Sequence, residues 1–118
     1  MVETAGGLAH LDDIVSVQGV DAVYIGPSDL ALAVGQKPGP RPYEALADHL
    51  AAIKKACRAH GVALGIHALT GETAAHYVAD GYDMITVGSD ASFLASAVRA
   101  NLDAARAGLA QGAPGSGR

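Results

Sequence analysis

The chain has 118 residues, half of them hydrophobic, with only 4% aromatic residues and no Trp. A net charge of −4 without a Lys/Arg cluster argues against nucleic acid or an anionic membrane as a partner. No apolar run approaches the roughly 20 residues that span a bilayer, and the single Cys57 cannot form an internal disulfide, so a soluble, reducing, cytoplasmic setting is expected.

In chain order, residues 1–3 read as the stub of a strand. Leu8, Leu11, Ile14 and Val15 recur at three- and four-residue spacings, which predicts a helix ended by Gly19. Ala22–Ile25 is a compact apolar strand halted by Gly26-Pro27. A short helix is predicted over 29–34, then a loop over 35–42 whose three prolines and two glycines exclude regular structure. Tyr43 opens a longer helix in which Leu46, Leu50, Ile53 and Cys57 form one apolar stripe, so Cys57 reads as core rather than nucleophile. His60-Gly61 closes that helix. A strand over 62–67, a helix from Thr70 to Ala79, a strand Met84–Val87 and a last helix over 92–107 follow. Leu94, Val98 and Leu102 form the ridge of that last helix. Residues 108–118 form a flexible Gly/Ala/Ser-rich tail.

The sum is four β-α units. Such alternation predicts a parallel sheet with right-handed crossovers, and four units are half of a (β/α)8 TIM barrel. An independent four-stranded sheet would need both edges protected, which a three-residue first strand does not do. The expected fold is therefore α/β, half of a barrel over residues 1–107.

Glu3 and Asp29 lie at or just beyond the ends of successive strand runs, one repeat apart, so they belong on one rim. Two carboxylate oxygens there suit a hard divalent cation. Read singly, Glu3 is an ordinary solvated acid. In Gly26-Pro27-Ser28-Asp29, Gly permits a tight turn and Pro sets the entrance to a helix. The amides of Ser28 and Asp29 then become free donors for a carboxylate or phosphate. The competing reading is that Ser28 or Asp29 caps the helix. No G-x-G-x-x-G or Walker-type loop is present, which disfavours an unrelated phosphate-binding sheet domain. His67, at the end of its strand, could bond one ring nitrogen to backbone or face a ligand. His10, His49, His60 and His76 fall on helices and read as solvent-facing. Ser89-Asp90 could contribute to the rim or cap the last helix.

The order V-E-T, G-V-D-A-V-Y-I-G-P-S-D-L, G-I-H-A and D-M-I-T-V-G-S-D resembles the carboxyl-terminal half of the HpcH/HpaI aldolase/citrate lyase family, from Met1 to about Ala107. These are metal-dependent class II aldolases of the phosphoenolpyruvate/pyruvate barrel superfamily. The resemblance implies that Glu3 and Asp29 are metal ligands for Mg2+, Mn2+ or Co2+. It also implies that Gly26, Pro27, Ser28 and Asp29 form the subsite for pyruvate or a 2-keto acid, the Ser28 and Asp29 amides holding its carboxylate, and that His67 faces the substrate. The implied activity is cleavage of 4-hydroxy-2-keto acids to pyruvate and an aldehyde through a metal-stabilised enolate.

Family members carry an Arg and a His–Asp pair in the amino-terminal half, which has no counterpart here, so the general base is expected outside this chain. Met1 stands where the family commonly has Gln. Members also exchange their last helix between subunits, which residues 92–107 resemble in position, so a homo-oligomer is expected. The alternative is a truncated, catalytically incomplete half-barrel acting as a binding or oligomerisation module.

Overall fold

The structure, a computed structural model, describes residues 1–112. The chain divides into two compact units, Met1–Val87 and Gly88–Arg118.

In the first unit, three parallel strands, β1 (Ala22–Ile25), β2 (Ala63–Ala68) and β3 (Met84–Val87), lie in the order β1-β2-β3. The ladder pairs Ile25 with Ile66, and Ile66 with Ile85. The expected first strand is reduced to one residue: Val2 forms an isolated parallel bridge to Ile25, its N–H donating to the Tyr24 carbonyl at 2.9 Å. The chain then turns at once into a helix, because Thr4 is already an N-cap whose Oγ1 accepts from the Gly7 amide at 3.0 Å.

Successive strand residues point to opposite faces, and the two faces of this sheet differ. Val2, Val23, Ile25, Leu64, Ile66 and Ala68 are buried against Leu30, Leu46, Leu50, Ile53, Cys57 and Tyr77 from the helices. Each such large side chain removed from water contributes roughly 1.5–3 kcal/mol, so this layer holds the unit together. Burial raises the Cys57 thiol pKa above its ordinary value, as fits a core residue. The opposite face carries Tyr24 and His67, which are half-buried, and Met84 and Thr86, which are exposed. Met84 is 48% exposed there.

The helices differ from expectation at two points. The predicted first helix is broken into α1 (Ala5–Ala9) and α2 (Leu11–Val15) at His10, whose φ −119°, ψ 30° is not helical. Its ring Nδ1 lies 2.9 Å from the Gly6 carbonyl, a local side-chain contact that competes with helix continuation. The helix expected from Tyr43 is α4 (Pro42–Ala45) followed by α5 (Ala47–His60), interrupted at Leu46 and ended by Gly61 at φ 68°. Between β1 and α4 runs α3 (Pro27–Ala33), and between β2 and β3 runs α6 (Gly71–Ala79), with Thr70 as its cap. Of the helical histidines, His76 is not simply solvated: its ring stacks on Tyr43 with centroids 3.8 Å apart.

The amino-terminal end of the sheet is tied by charge. Asp83 accepts the Leu64 amide at 2.8 Å and pairs with Arg58 at 3.0 Å, while Lys54 reaches Asp80 at 2.5 Å. The Leu64 hydrogen bond first, and Arg58 second, hold the Asp83 carboxyl below its ordinary pKa.

The second unit is described by α7 (Asp90–Gly112). Ser89 and Ser92 cap it reciprocally, each hydroxyl accepting the other's amide at 3.2 and 2.8 Å, so the capping role accounts for Ser89. The helix runs beyond 107, so residues 108–112 of the expected tail are helical. Residues 113–118 lie outside the described residues. Along this helix Leu94, Val98 and Leu102 are exposed.

Candidate functional site

The parallel register aligns three side chains and a glycine in one layer on the open face. Glu3 follows Val2, Gly26 follows Ile25, His67 follows Ile66 and Thr86 follows Ile85, and the preceding residues are ladder partners. Neighbouring parallel strands lie about 4.8 Å apart. The row Glu3, Gly26, His67, Thr86 therefore crosses the carboxyl-terminal rim of the sheet. One layer below it come Tyr24, Gly65 and Met84.

Gly26 is the centre of this rim. A Cβ placed there would lie 2.7 Å from Glu3 Oε2 and 3.7 Å from Asp29 Oδ2, so the two carboxylates converge above it. Their oxygens are no farther apart than the sum of those distances. The space a methyl group would fill is the space that Glu3 occupies. Among the described residues neither Glu3 nor Asp29 forms an ion pair. Glu3 is half-buried and Asp29 exposed. No third His, Cys, Asp or Glu joins them into a larger cluster among the described residues.

This donor set fits a hard divalent cation in part. Two carboxylates supply charge and two ligating side chains, and an ion that keeps several waters or takes ligand oxygens supplies the remaining positions. A soft or tetrahedral metal finds no thiolate or imidazole set here.

Gly26 also begins α3, as its N-cap without a side-chain hydrogen bond, and Pro27 occupies the first turn. The Leu30 amide is the first to bond back, to the Gly26 carbonyl at 2.9 Å. Ser28 and Asp29 thus lie inside the first turn rather than before it, and neither caps the helix. Pro27 is buried, fixing the turn, while Ser28 is exposed. The Asp29 side chain is thereby left to face Glu3.

His67 does not bond backbone, the first of its two expected contacts. Its Nδ1 lies 2.9 Å from Thr86 Oγ1, a side chain rather than backbone, and Thr86 Oγ1 is also hydrogen-bonded to the Tyr24 hydroxyl. Gly65 makes that possible: a Cβ there would meet Met84 Cε at 2.8 Å and Tyr24 Cδ2 at 2.9 Å, so both side chains lie across its vacant position. Tyr24 and Thr86 were not singled out from sequence. Their signal was the two-residue alternation that places Tyr24 two before Gly26, and Thr86 one strand over from His67. A groove of about 490 Å³ between α2 and α5, lined by Leu8, His10, Asp13 and Lys55, lies on the helical side and shares none of these rim residues.

No helix among the described residues is long and apolar enough to cross a membrane. Comparison with known proteins matches residues 1–97 to HpcH/HpaI aldolase/citrate lyase. The chain is 38% identical over 108 residues to the hydroxypyruvate/pyruvate aldolase of Rhizorhabdus wittichii, covering 91% of this chain and 43% of that protein. It is 37% identical over 95 residues to the 2-dehydro-3,6-dideoxy-6-sulfogluconate aldolase of Pseudomonas putida, covering 80% of this chain and 37% of that protein. Among solved structures, it superposes on an HpcH/HpaI aldolase/citrate lyase family protein from Burkholderia cenocepacia J2315 with a TM-score of 0.80 at 35% identity, over 89% of this chain and 40% of that one. The chain thus spans about two-fifths of the length of these relatives. Its parallel α/β layer is the carboxyl-terminal half of their TIM barrel, and the chain belongs to the HpcH/HpaI aldolase/citrate lyase family.

Proposed function

We propose that this chain forms the metal- and keto-acid-binding half of a carbon–carbon lyase that cleaves 4-hydroxy-2-keto acids to pyruvate, or hydroxypyruvate, and an aldehyde. The observation that carries this reading is the convergence of Glu3 and Asp29 over Gly26, where a Cβ would lie 2.7 Å from Glu3 Oε2. Glu3 and Asp29 would hold Mg2+, Mn2+ or Co2+. When bound, such a cation supplies Lewis-acid polarisation that stabilises negative charge developing on a keto oxygen.

The chain's own residues do the rest of the binding. The Ser28 and Asp29 amides, free in the first turn of α3, would donate to the substrate carboxylate. Pro27 holds that turn rigid, the missing side chain of Gly26 lets the Glu3 carboxylate lie over the turn, and His67 would meet the substrate from the neighbouring strand. On this reading the general base lies outside this chain.

Titration of the chain with Mn2+ and then pyruvate, followed by calorimetry, tests the reading. Metal binding should be lost in Glu3→Gln and in Asp29→Asn, and pyruvate binding should vanish with it. Pyruvate bound equally well in EDTA would overturn the proposal. Oxaloacetate decarboxylation by the chain, if abolished in the same variants, would extend binding to chemistry.

A second reading is favoured by one observation. On the sheet's open face Met84 is 48% exposed. A half-barrel working as a binding or oligomerisation module would bury that face against a second copy. Light scattering that finds only monomer, together with turnover, would exclude it.

A further inference from the structure

Three hydrogen-bonding side chains from three adjacent strands are linked on the open face. They are Tyr24 on β1, Thr86 on β3 and His67 on β2 between them. Thr86 Oγ1 is bonded to both of the others, at 2.9 Å to His67 Nδ1 and more closely to the Tyr24 hydroxyl. A threonine hydroxyl has one proton to donate and two lone pairs. The phenol is the more acidic of the two hydroxyls, so Tyr24 donates to Thr86. Thr86 keeps its own proton and a second lone pair, so it can donate to His67 Nδ1 or accept from it. With Thr86 as donor the imidazole is the Nε2–H tautomer and Nδ1 the acceptor. The unused donor, Nε2–H, is left at the level of the rim. The register places His67 beside Gly26, over which the Glu3 and Asp29 carboxylates meet.

We infer that Tyr24 and Thr86 are positioning residues that hold His67 Nε2–H as a hydrogen-bond donor to a hydroxyl oxygen next to the substrate's keto group. The site then favours hydroxyl-bearing 2-keto acids over their deoxy counterparts. This rests on the keto-acid reading above. A half-buried donor that loses its partner costs more than an exposed one, which is how a single hydroxyl comes to be selected. Tyr24 and His67 are half-buried and Thr86 exposed, and each has a hydrogen bond within the group. Gly65 is part of the device, because any side chain there would push Tyr24 off its line to Thr86.

The probes are pyruvate and hydroxypyruvate, which differ by one hydroxyl, each titrated into the Mn2+-loaded chain. The wild-type chain should bind hydroxypyruvate more tightly than pyruvate, and the ratio of the two affinities should fall about three- to tenfold in Thr86→Val and in Tyr24→Phe, the worth of one hydrogen bond. A ratio is insensitive to the fraction of folded protein. Thr86→Ser, which keeps the hydroxyl, should restore it. Long-range proton–nitrogen correlation should show the Nε2–H tautomer of His67 in the wild-type chain and a mixture of tautomers in Thr86→Val. If both keto acids bind with a ratio that the variants leave alone, or if the tautomer is Nδ1–H, the inference is overturned while the keto-acid reading stands. If neither keto acid binds, the keto-acid reading fails and the inference falls with it.

Discussion

The two ends of this sheet are built on opposite plans. At the amino-terminal end charges are consumed locally: Asp83 is held by the Leu64 amide and Arg58, and Asp80 by Lys54. At the carboxyl-terminal end Glu3 and Asp29 face each other over Gly26 with no cation of the chain among the described residues. Like charges brought together without a partner repel, so the second arrangement costs stability unless something else binds there. The contrast separates structure from chemistry within one sheet, as barrels of parallel strands commonly do.

The comparison breaks most visibly if the acidic rim is altered. Glu3→Gln or Asp29→Asn should weaken divalent-metal binding by about 100-fold or more, beyond what loss of a supporting outer-shell group costs. Thermal stability without metal should stay level or rise, because a repulsion is removed. Calorimetric titration and a melting curve on the same sample check both halves of that statement. Loss of stability in the metal-free variant would show that the pair is structural.

Gly26→Ala is the next sharpest case. The backbone there, φ −97°, accepts alanine, but the new Cβ would fall 2.7 Å from Glu3 Oε2. The glutamate end is flexible and should swing away, so metal affinity should drop about tenfold, the lower end of a misplaced-ligand effect. The urea midpoint should barely change.

At the other end the expected effect is on stability and its pH dependence. Asp83 has its folded pKa depressed from the ordinary 3.8. Its contribution is fully present above that ordinary value and is lost as pH falls through the lower folded one. Asp83→Asn should therefore flatten the acid limb of stability below about pH 4, and leave metal affinity unchanged. Urea titrations at several pH values read the first, and Mn2+ titration the second.

The smallest change concerns neither end. Tyr77 is fully buried, and its hydroxyl is the buried side-chain oxygen without a hydrogen-bond partner among the described residues. Burial chiefly, with Tyr82 and Tyr43 adding, raises its pKa. Tyr77→Phe removes an unsatisfied polar atom and should be neutral or stabilising by up to about 1 kcal/mol. A clear destabilisation would reveal an unseen partner for that oxygen.

Much of this was readable in the chain itself. Compact apolar runs identify β1, β2 and β3, and three- and four-residue apolar spacings the helices between them, because burial is what those patterns encode. Glu3 and Asp29 were legible as a pair since each stands where an apolar run stops. The breaks at His10 and Leu46 were not, because they depend on backbone angles that local spacing does not express. Nor was the role of Ser28: capping and first-turn positions differ by one or two residues, and sequence signals for helix starts are no finer than that.

The sequence by itself determined the fold class and the two acidic residues at or just beyond the ends of apolar runs. Those follow from hydrophobic pattern and turn chemistry, which act locally. Only the tertiary structure decided that the carboxylates meet over Gly26, that Asp83 ties the far end, and that Tyr24, Thr86 and His67 are linked. Each of these depends on parallel register, which brings together residues as much as 62 positions apart. Register is settled when the buried face packs as a whole.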